Sequence, residues 1–256
     1  MTNEEKRAFF QTFGFLLERR LFGPEEMAAI SHEFDERLSR ERQGQPFAGQ
    51  SRQSLYGIAE QSPSFTRLVE DDRIYKTVEN LLGPGFAWLC SEGNLYVGDT
   101  HWHPDGTRLD YPPMKVSLYL DPLTRDTGCL RVLPGSHLLP YHQQLKPVAK
   151  LGVAGQDLPA LPCETQPGDV LFANMNLWHA AFGGPPGRRH LALNFAPPPT
   201  TAADLARLRE NHAGTLSLVG KLQHSQPGRL FTDAFLHHHS PRLRSLCAPW
   251  VEMGLK

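Results

Sequence analysis

The chain has 256 residues, 40% of them hydrophobic and 21% charged, enough to bury the core of one large domain. A formal net charge of -1 gives no field that would recruit nucleic acid or an anionic membrane. No run is long and apolar enough to span a bilayer, and the charged start MTNEEKRAFF lacks the apolar segment of a secretory signal. Cys90, Cys129, Cys163 and Cys247 form no CxxC pair, which argues against structural zinc and for reduced thiols in a cytoplasmic protein.

The first third reads as helical. Thr2 or Asn3 caps a helix through Phe13, with Glu4 and Glu5 in its first turn, and Gly14 ends it. Phe15-Leu16-Leu17 is a short strand. A second helix starts near Pro24 and places Met27, Ile30, Phe34 and Leu38 on one face. Gly44 to Gln53 is a polar loop. A third helix runs from about Asp72, with Ile74, Val78, Leu81 and Leu82 apolar, to Gly83-Pro84.

The pattern changes after Gly85. Short runs at Ala87–Cys90, Asn94–Val97, Met114–Leu120, Cys129–Leu133, Val170–Ala173 and Arg188–Phe195 alternate with Pro, Gly and Asp turns. This spacing predicts an antiparallel sandwich or barrel. From Ala202 to about Leu222 the pattern is helical again. The expected organisation is one domain over 1–256: a helical part over about 1–84, a β core over about 85–198 and a helical extension over about 200–256.

Three residues in the β region suit a metal. In His103-Pro104-Asp105, positions i and i+2 point to the same side if the backbone is extended. His179 supplies a third ligand. Two imidazoles and one carboxylate form the facial triad that suits iron(II) and leaves positions open. His101 offers an alternative ligand by the same spacing, at the loss of the anionic one. Arg188, nine positions beyond His179, opens a strand and can grip a carboxylate through two parallel hydrogen bonds. Alternation puts Arg188, His190, Ala192 and Asn194 on one face, and Arg189, Leu191, Leu193 and Phe195 on the other. Arg188 is therefore preferred as the anchor of a 2-oxo diacid, with Arg189 the alternative.

Five pieces in this order carry a resemblance: His103-Pro104-Asp105, the run from Asp126-Thr127-Gly128-Cys129-Leu130 to Pro134-Gly135-Ser136-His137, Pro167-Gly168-Asp169, Trp178-His179, and the arginine strand. Over roughly Phe9 to Pro197 the chain resembles the phytanoyl-CoA dioxygenase family of iron(II)- and 2-oxoglutarate-dependent oxygenases. The resemblance implies a mainly β fold with flanking helices around a double-stranded β-helix, or jelly-roll, core. It implies iron(II) on His103, Asp105 and His179, with 2-oxoglutarate and O₂ as co-substrates and Arg188 holding the distal carboxylate. The expected reaction hydroxylates or otherwise oxidises a small organic substrate and releases succinate and CO₂. Halogenating relatives replace the ligand carboxylate with a small residue, so Asp105 argues against that outcome.

Ser117 lies on a polar strand face with Lys115 and Tyr119. Ser117 and Tyr96 are candidates to touch 2-oxoglutarate. Arg52 and Tyr56, in an expected loop over Gln45–Gln61, are candidates to meet a polar substrate, and Gly106 to Pro113 should border the metal. His137 is expected to make a structural hydrogen bond, and His237-His238-His239 to be solvated. Two readings from other classes remain: a cupin-like metal-dependent hydrolase or isomerase, and a non-catalytic jelly-roll binding protein.

Overall fold

A computed structural model describes residues 1–106, 108–150, 158–222 and 230–254; of 148–150 it describes the backbone alone. The described residues fall into two packed units interleaved along the chain. The first holds Met1–Met27, Gly49–Arg52 and Leu95–His190; the second holds Ala28–Ala48, Gln53–Asn94 and Leu191–Lys256. No described helix is long and apolar enough to cross a membrane.

The first unit opens with α1 (Asn3–Phe13). Thr2 and Glu5 cap each other's backbone reciprocally, and Gly14 closes the helix in the left-handed conformation. In one sheet, β1 (Phe15–Glu18) pairs with β8 (Val170–Asn174), which pairs with β5 (Met114–Tyr119), all antiparallel. The start of β10 (Arg188–Ala196) lies beside β5, where Leu120 N–H donates to the Arg189 carbonyl. A second antiparallel sheet runs β4 (Thr100–His103), β9 (His179–Ala181), β6 (Leu130–Val132), β7 (Leu161–Cys163). Phe15, Tyr119 and Leu171 from the first sheet share a buried cluster with Val132 and Cys163 from the second. Two antiparallel sheets facing across a common core are the expected jelly-roll arrangement. α5 (Tyr141–Lys150) packs near β4.

The second unit contains most of α2 (Pro24–Glu41), then β2 (Gln53–Tyr56), α3 (Pro63–Val69) and α4 (Asp72–Leu82). It also holds most of β3 (Ala87–Tyr96), the end of β10, α6 (Ala202–Val219), α7 (Asp233–Leu236) and α8 (Pro241–Glu252). Its core is aromatic: the Trp88 ring lies 5.1 Å from Phe195 and 5.6 Å from Phe235. Trp250 Nε1–H donates to the Trp88 carbonyl at 2.6 Å. Large buried rings joined by edge contacts and a satisfied indole are a strong source of stability.

The structure departs from the sequence reading in several places. Ala87–Cys90 and Asn94–Val97 were expected as separate strands, but β3 runs without a break from Ala87 to Tyr96. Gly93 is not a turn residue. A Cβ there would stand 2.8 Å from Ile58 and 3.1 Å from Phe34 and Leu38, so the glycine serves close packing within a strand. The expected loop over Gln45–Gln61 contains β2, all four of whose residues are buried. Beyond Leu222, where the helical pattern read from the sequence stops, the chain forms α8, with Pro241 in its first turn.

Candidate metal centre

The pairing of β4 with β9 creates the centre. Its register sets His103 directly opposite His179, after a bulge between Thr100 and His103. The two rings lie 4.5 Å apart. His103 Nδ1 is 2.6 Å from the His101 carbonyl and His179 Nδ1 is 2.9 Å from the Leu177 carbonyl. Each Nδ1 therefore carries the proton, and each Nε2 presents a lone pair to the space between the strands.

Asp105 stands just past β4. Its Oδ1 lies 3.6 Å from His103 Nε2 and 3.8 Å from His179 Nε2. All three ligand atoms lie within 4.8 Å of one another, and no other such cluster exists among the described residues. Metal–ligand bonds of about 2 Å would draw these atoms slightly together. Burial pushes the Asp105 carboxyl upward, but Lys115 and the two histidines outweigh it and hold the group well below the usual carboxylate range. Burial holds the His179 imidazole below its ordinary value. The adjacent Asp105 carboxylate raises His103. The donor set is one anion and two imidazoles facing one point, and it fits a divalent iron ion.

Gly106 and Arg108 are each tied to the connection between β8 and β9. Gly106 N–H donates to the Met175 carbonyl at 2.7 Å, and Asn176 Nδ2 donates to the Arg108 carbonyl at 2.8 Å. Gly106 directly follows Asp105, while Thr107, within the expected loop Gly106–Pro113, lies outside the described residues. His101 is exposed and stands outside the cluster; its part is the carbonyl that orients His103.

The arginine strand separates its two candidates. Arg188 is 5% exposed, and its guanidinium donates to the carbonyls of Pro185 and Gly98 at 3.0 and 2.8 Å. Among the described residues it makes no ion pair. Burial lowers its pKa, and the charge of Asp99 only partly opposes this. Arg189 points the other way and is paired with Asp121 at 2.7 Å. Room for Arg188 comes from two glycines: a Cβ on Gly128 would stand 2.8 Å from its Nε, and one on Gly184 2.6 Å from its Cζ.

Other candidates are placed as follows. Ser117, on β5, is buried and shares a 3.0 Å hydrogen bond with His190 Nε2. His190 stacks on Tyr119 at 4.9 Å and lies 5.6 Å from Tyr96. Arg52 is exposed and its guanidinium covers the Tyr96 ring at 4.4 Å. Tyr56 is a buried residue of β2 in the second unit, not a loop residue. His137 Nε2 bonds the Gln11 carbonyl at 3.1 Å, a structural tie of the kind expected. His237 and His239 are exposed. Sequence reasoning gave no role to Gly184; Gly128 entered it only within the family-like run, and His190 and Lys115 only as members of polar strand faces. Lys115 Nζ sits 2.7 Å from Asp105 Oδ2.

A family model for phytanoyl-CoA dioxygenase (PhyH) matches residues 10–189. The chain belongs to the phytanoyl-CoA dioxygenase family. The match spans His103, Asp105 and His179 and both arginines. Among solved structures, AviO1 from Streptomyces viridochromogenes Tue57 is 19% identical, with a TM-score of 0.62, covering 77% of this chain and 95% of its own. HygX from Streptomyces hygroscopicus, solved with nickel and 2-oxoglutarate bound, is 22% identical, with a TM-score of 0.60 and coverage of 75% and 86%. The 2-oxoglutarate-dependent carbocyclase SnoK of nogalamycin biosynthesis is 19% identical, with a TM-score of 0.61 and coverage of 81% and 93%. These likenesses establish a shared fold. No curated protein sequence matches the chain.

Proposed function

We propose that this member of the phytanoyl-CoA dioxygenase family is an iron(II)- and 2-oxoglutarate-dependent oxygenase acting on a small organic substrate. The observation that carries the reading is the convergence of His103 Nε2, His179 Nε2 and Asp105 Oδ1 on one point, within a unit that also buries Arg188, which makes no ion pair among the described residues. His103, Asp105 and His179 would hold iron(II). Arg188 would receive the distal carboxylate of 2-oxoglutarate, with Ser117 and Tyr96 in the same unit as further contacts. Once bound, the iron and 2-oxoglutarate supply the oxidising chemistry with O₂, releasing succinate and CO₂.

The protein's own work is orientation and charge. The Nδ1–H bonds to the carbonyls of His101 and Leu177 fix both rings. The low pKa of Asp105 keeps it anionic. The Arg188 guanidinium is bonded to two carbonyls but to no carboxylate among the described residues, and a buried charge of this kind favours an anionic ligand beside it. HygX with 2-oxoglutarate supports the co-substrate, while SnoK, a carbocyclase, and SnoN, an epimerase, share the fold. Hydroxylation is proposed here, with ring closure or epimerisation as outcomes the same centre would serve. A substrate screen that reads succinate and product mass tests the proposal. Succinate formation without substrate oxidation by any member of the screen leaves hydroxylation unsupported, and no dependence on iron contradicts the oxygenase reading.

A further inference from the structure

Asp105 has two oxygens, and the structure gives them different partners. Oδ1 faces both histidine Nε2 atoms, at 3.6 and 3.8 Å, while Oδ2 is held by Lys115 Nζ at 2.7 Å. The carboxylate lies on a loop beyond β4, whereas Lys115 lies on β5, inside a sheet and in register with Ala173 of β8. The Lys115 side chain is 16% exposed and spans from one sheet to the rim of the other.

The backbone tie at Gly106, the next residue, holds the chain beside Asp105 but does not set how its carboxylate is turned. Rotation of a carboxylate about its last bond is soft and roughly two-fold. A charge-assisted hydrogen bond to one oxygen removes that freedom. The distinction matters at a metal. A carboxylate that brings both oxygens to one ion occupies two positions, and a facial triad works by leaving positions open.

We propose that Lys115 is a positioning residue that keeps Asp105 a single-oxygen ligand and so preserves the coordination positions a 2-oxo acid needs. The inference rests on the iron and 2-oxoglutarate reading for its consequence, but its geometric core concerns only the metal and Asp105. Lysine suits the task because its ammonium is a point donor. An arginine fork would tend to engage both oxygens.

The test uses the full chain loaded with cobalt(II), whose visible absorption reports its ligand sphere without turnover. Lys115→Met removes the donor at similar length. Its cobalt(II) spectrum should shift from the wild-type spectrum, and its Kd for 2-oxoglutarate should rise at least tenfold. Lys115→Arg, a charged donor of different geometry, should fall between the two. A Lys115→Met protein whose cobalt(II) spectrum superimposes on wild type and whose 2-oxoglutarate Kd stays within twofold overturns the proposal. If wild type binds cobalt(II) but not 2-oxoglutarate, the functional reading fails, and the spectra alone then decide the role of Lys115. If Lys115→Met does not fold, as judged by thermal melting, Lys115→Arg decides it: a shifted spectrum supports the proposal and an unchanged one refutes it.

Discussion

Gly184 leaves the space that the Arg188 guanidinium fills: a Cβ on residue 184 would stand 2.6 Å from Arg188 Cζ and 2.6 Å from its Cδ. The glycine lies in a Gly-Gly-Pro-Pro-Gly turn, and the relationship explains why a side chain is absent there. Gly184→Ala should therefore push the guanidinium out of place. Isothermal titration should show 2-oxoglutarate binding weakened tenfold or more with metal affinity unchanged. Overpacking should also cost about 1–3 kcal/mol of stability.

Arg188 and Arg189 are adjacent but opposed, one buried and one paired with Asp121. Arg188→Ala should raise the 2-oxoglutarate requirement about ten- to hundredfold, since hydrogen bonds to charged groups contribute about 1.5–3 kcal/mol each. Arg188→Lys should recover only part of this. Arg189→Ala breaks a partly exposed ion pair, which should alter stability by roughly 0–1 kcal/mol and leave 2-oxoglutarate dependence near wild type. Steady-state kinetics in which the two alanine variants exchange these behaviours would make Arg189 the anchor.

Glu60, in the second unit, is 3% exposed. It accepts hydrogen bonds from Ser91 Oγ, Ser91 N–H and Trp88 Nε1–H. Burial nonetheless raises its carboxyl from an ordinary 4.5 to about 7. The folded protein holds this proton more tightly than the unfolded chain, so stability should be greatest below the unfolded value and fall as pH rises through about 7. The loss should approach about 3 kcal/mol. Glu60→Gln cannot ionise and should lack this decline. Urea unfolding of both proteins at acid and mildly alkaline pH measures the difference, and parallel profiles would contradict it.

Gly106 follows Asp105, and a Cβ there would meet Asn176 Oδ1 at 2.6 Å. Gly106→Ala should displace the Asp105 loop and weaken cobalt(II) binding several-fold without lowering helix content. An unchanged cobalt(II) Kd would show that the loop yields without moving the ligand.

Legibility in the sequence followed the range of the interactions. α1 and α4 were visible because their caps are local: Thr2 with Glu5, Asp71 with Arg73 N–H, and Gly83 at the end. The phase of β10 was visible because alternation needs only the strand itself, and Arg188 is buried where alternation put it on the polar face with His190. The strands β7 and β9 have three residues each, too few to show a period. The triad residues carried a signal of spacing, whereas the opposition of His103 to His179 depends on a bulge and a register that only pairing sets. Lys115 and Gly184 matter through contacts with distant or folded-back residues, and nothing beside them in the chain announces those contacts.

The central claim is that one iron(II) on His103, Asp105 and His179 shares its coordination sphere with 2-oxoglutarate. Anaerobic titration of the iron(II)-loaded protein with 2-oxoglutarate tests it most directly, through the visible charge-transfer absorption of the chelate. The account predicts a saturable absorption at one equivalent per chain, lost in His103→Ala, Asp105→Ala and His179→Ala. Saturating iron(II) with no absorption and no calorimetric binding of 2-oxoglutarate would contradict it.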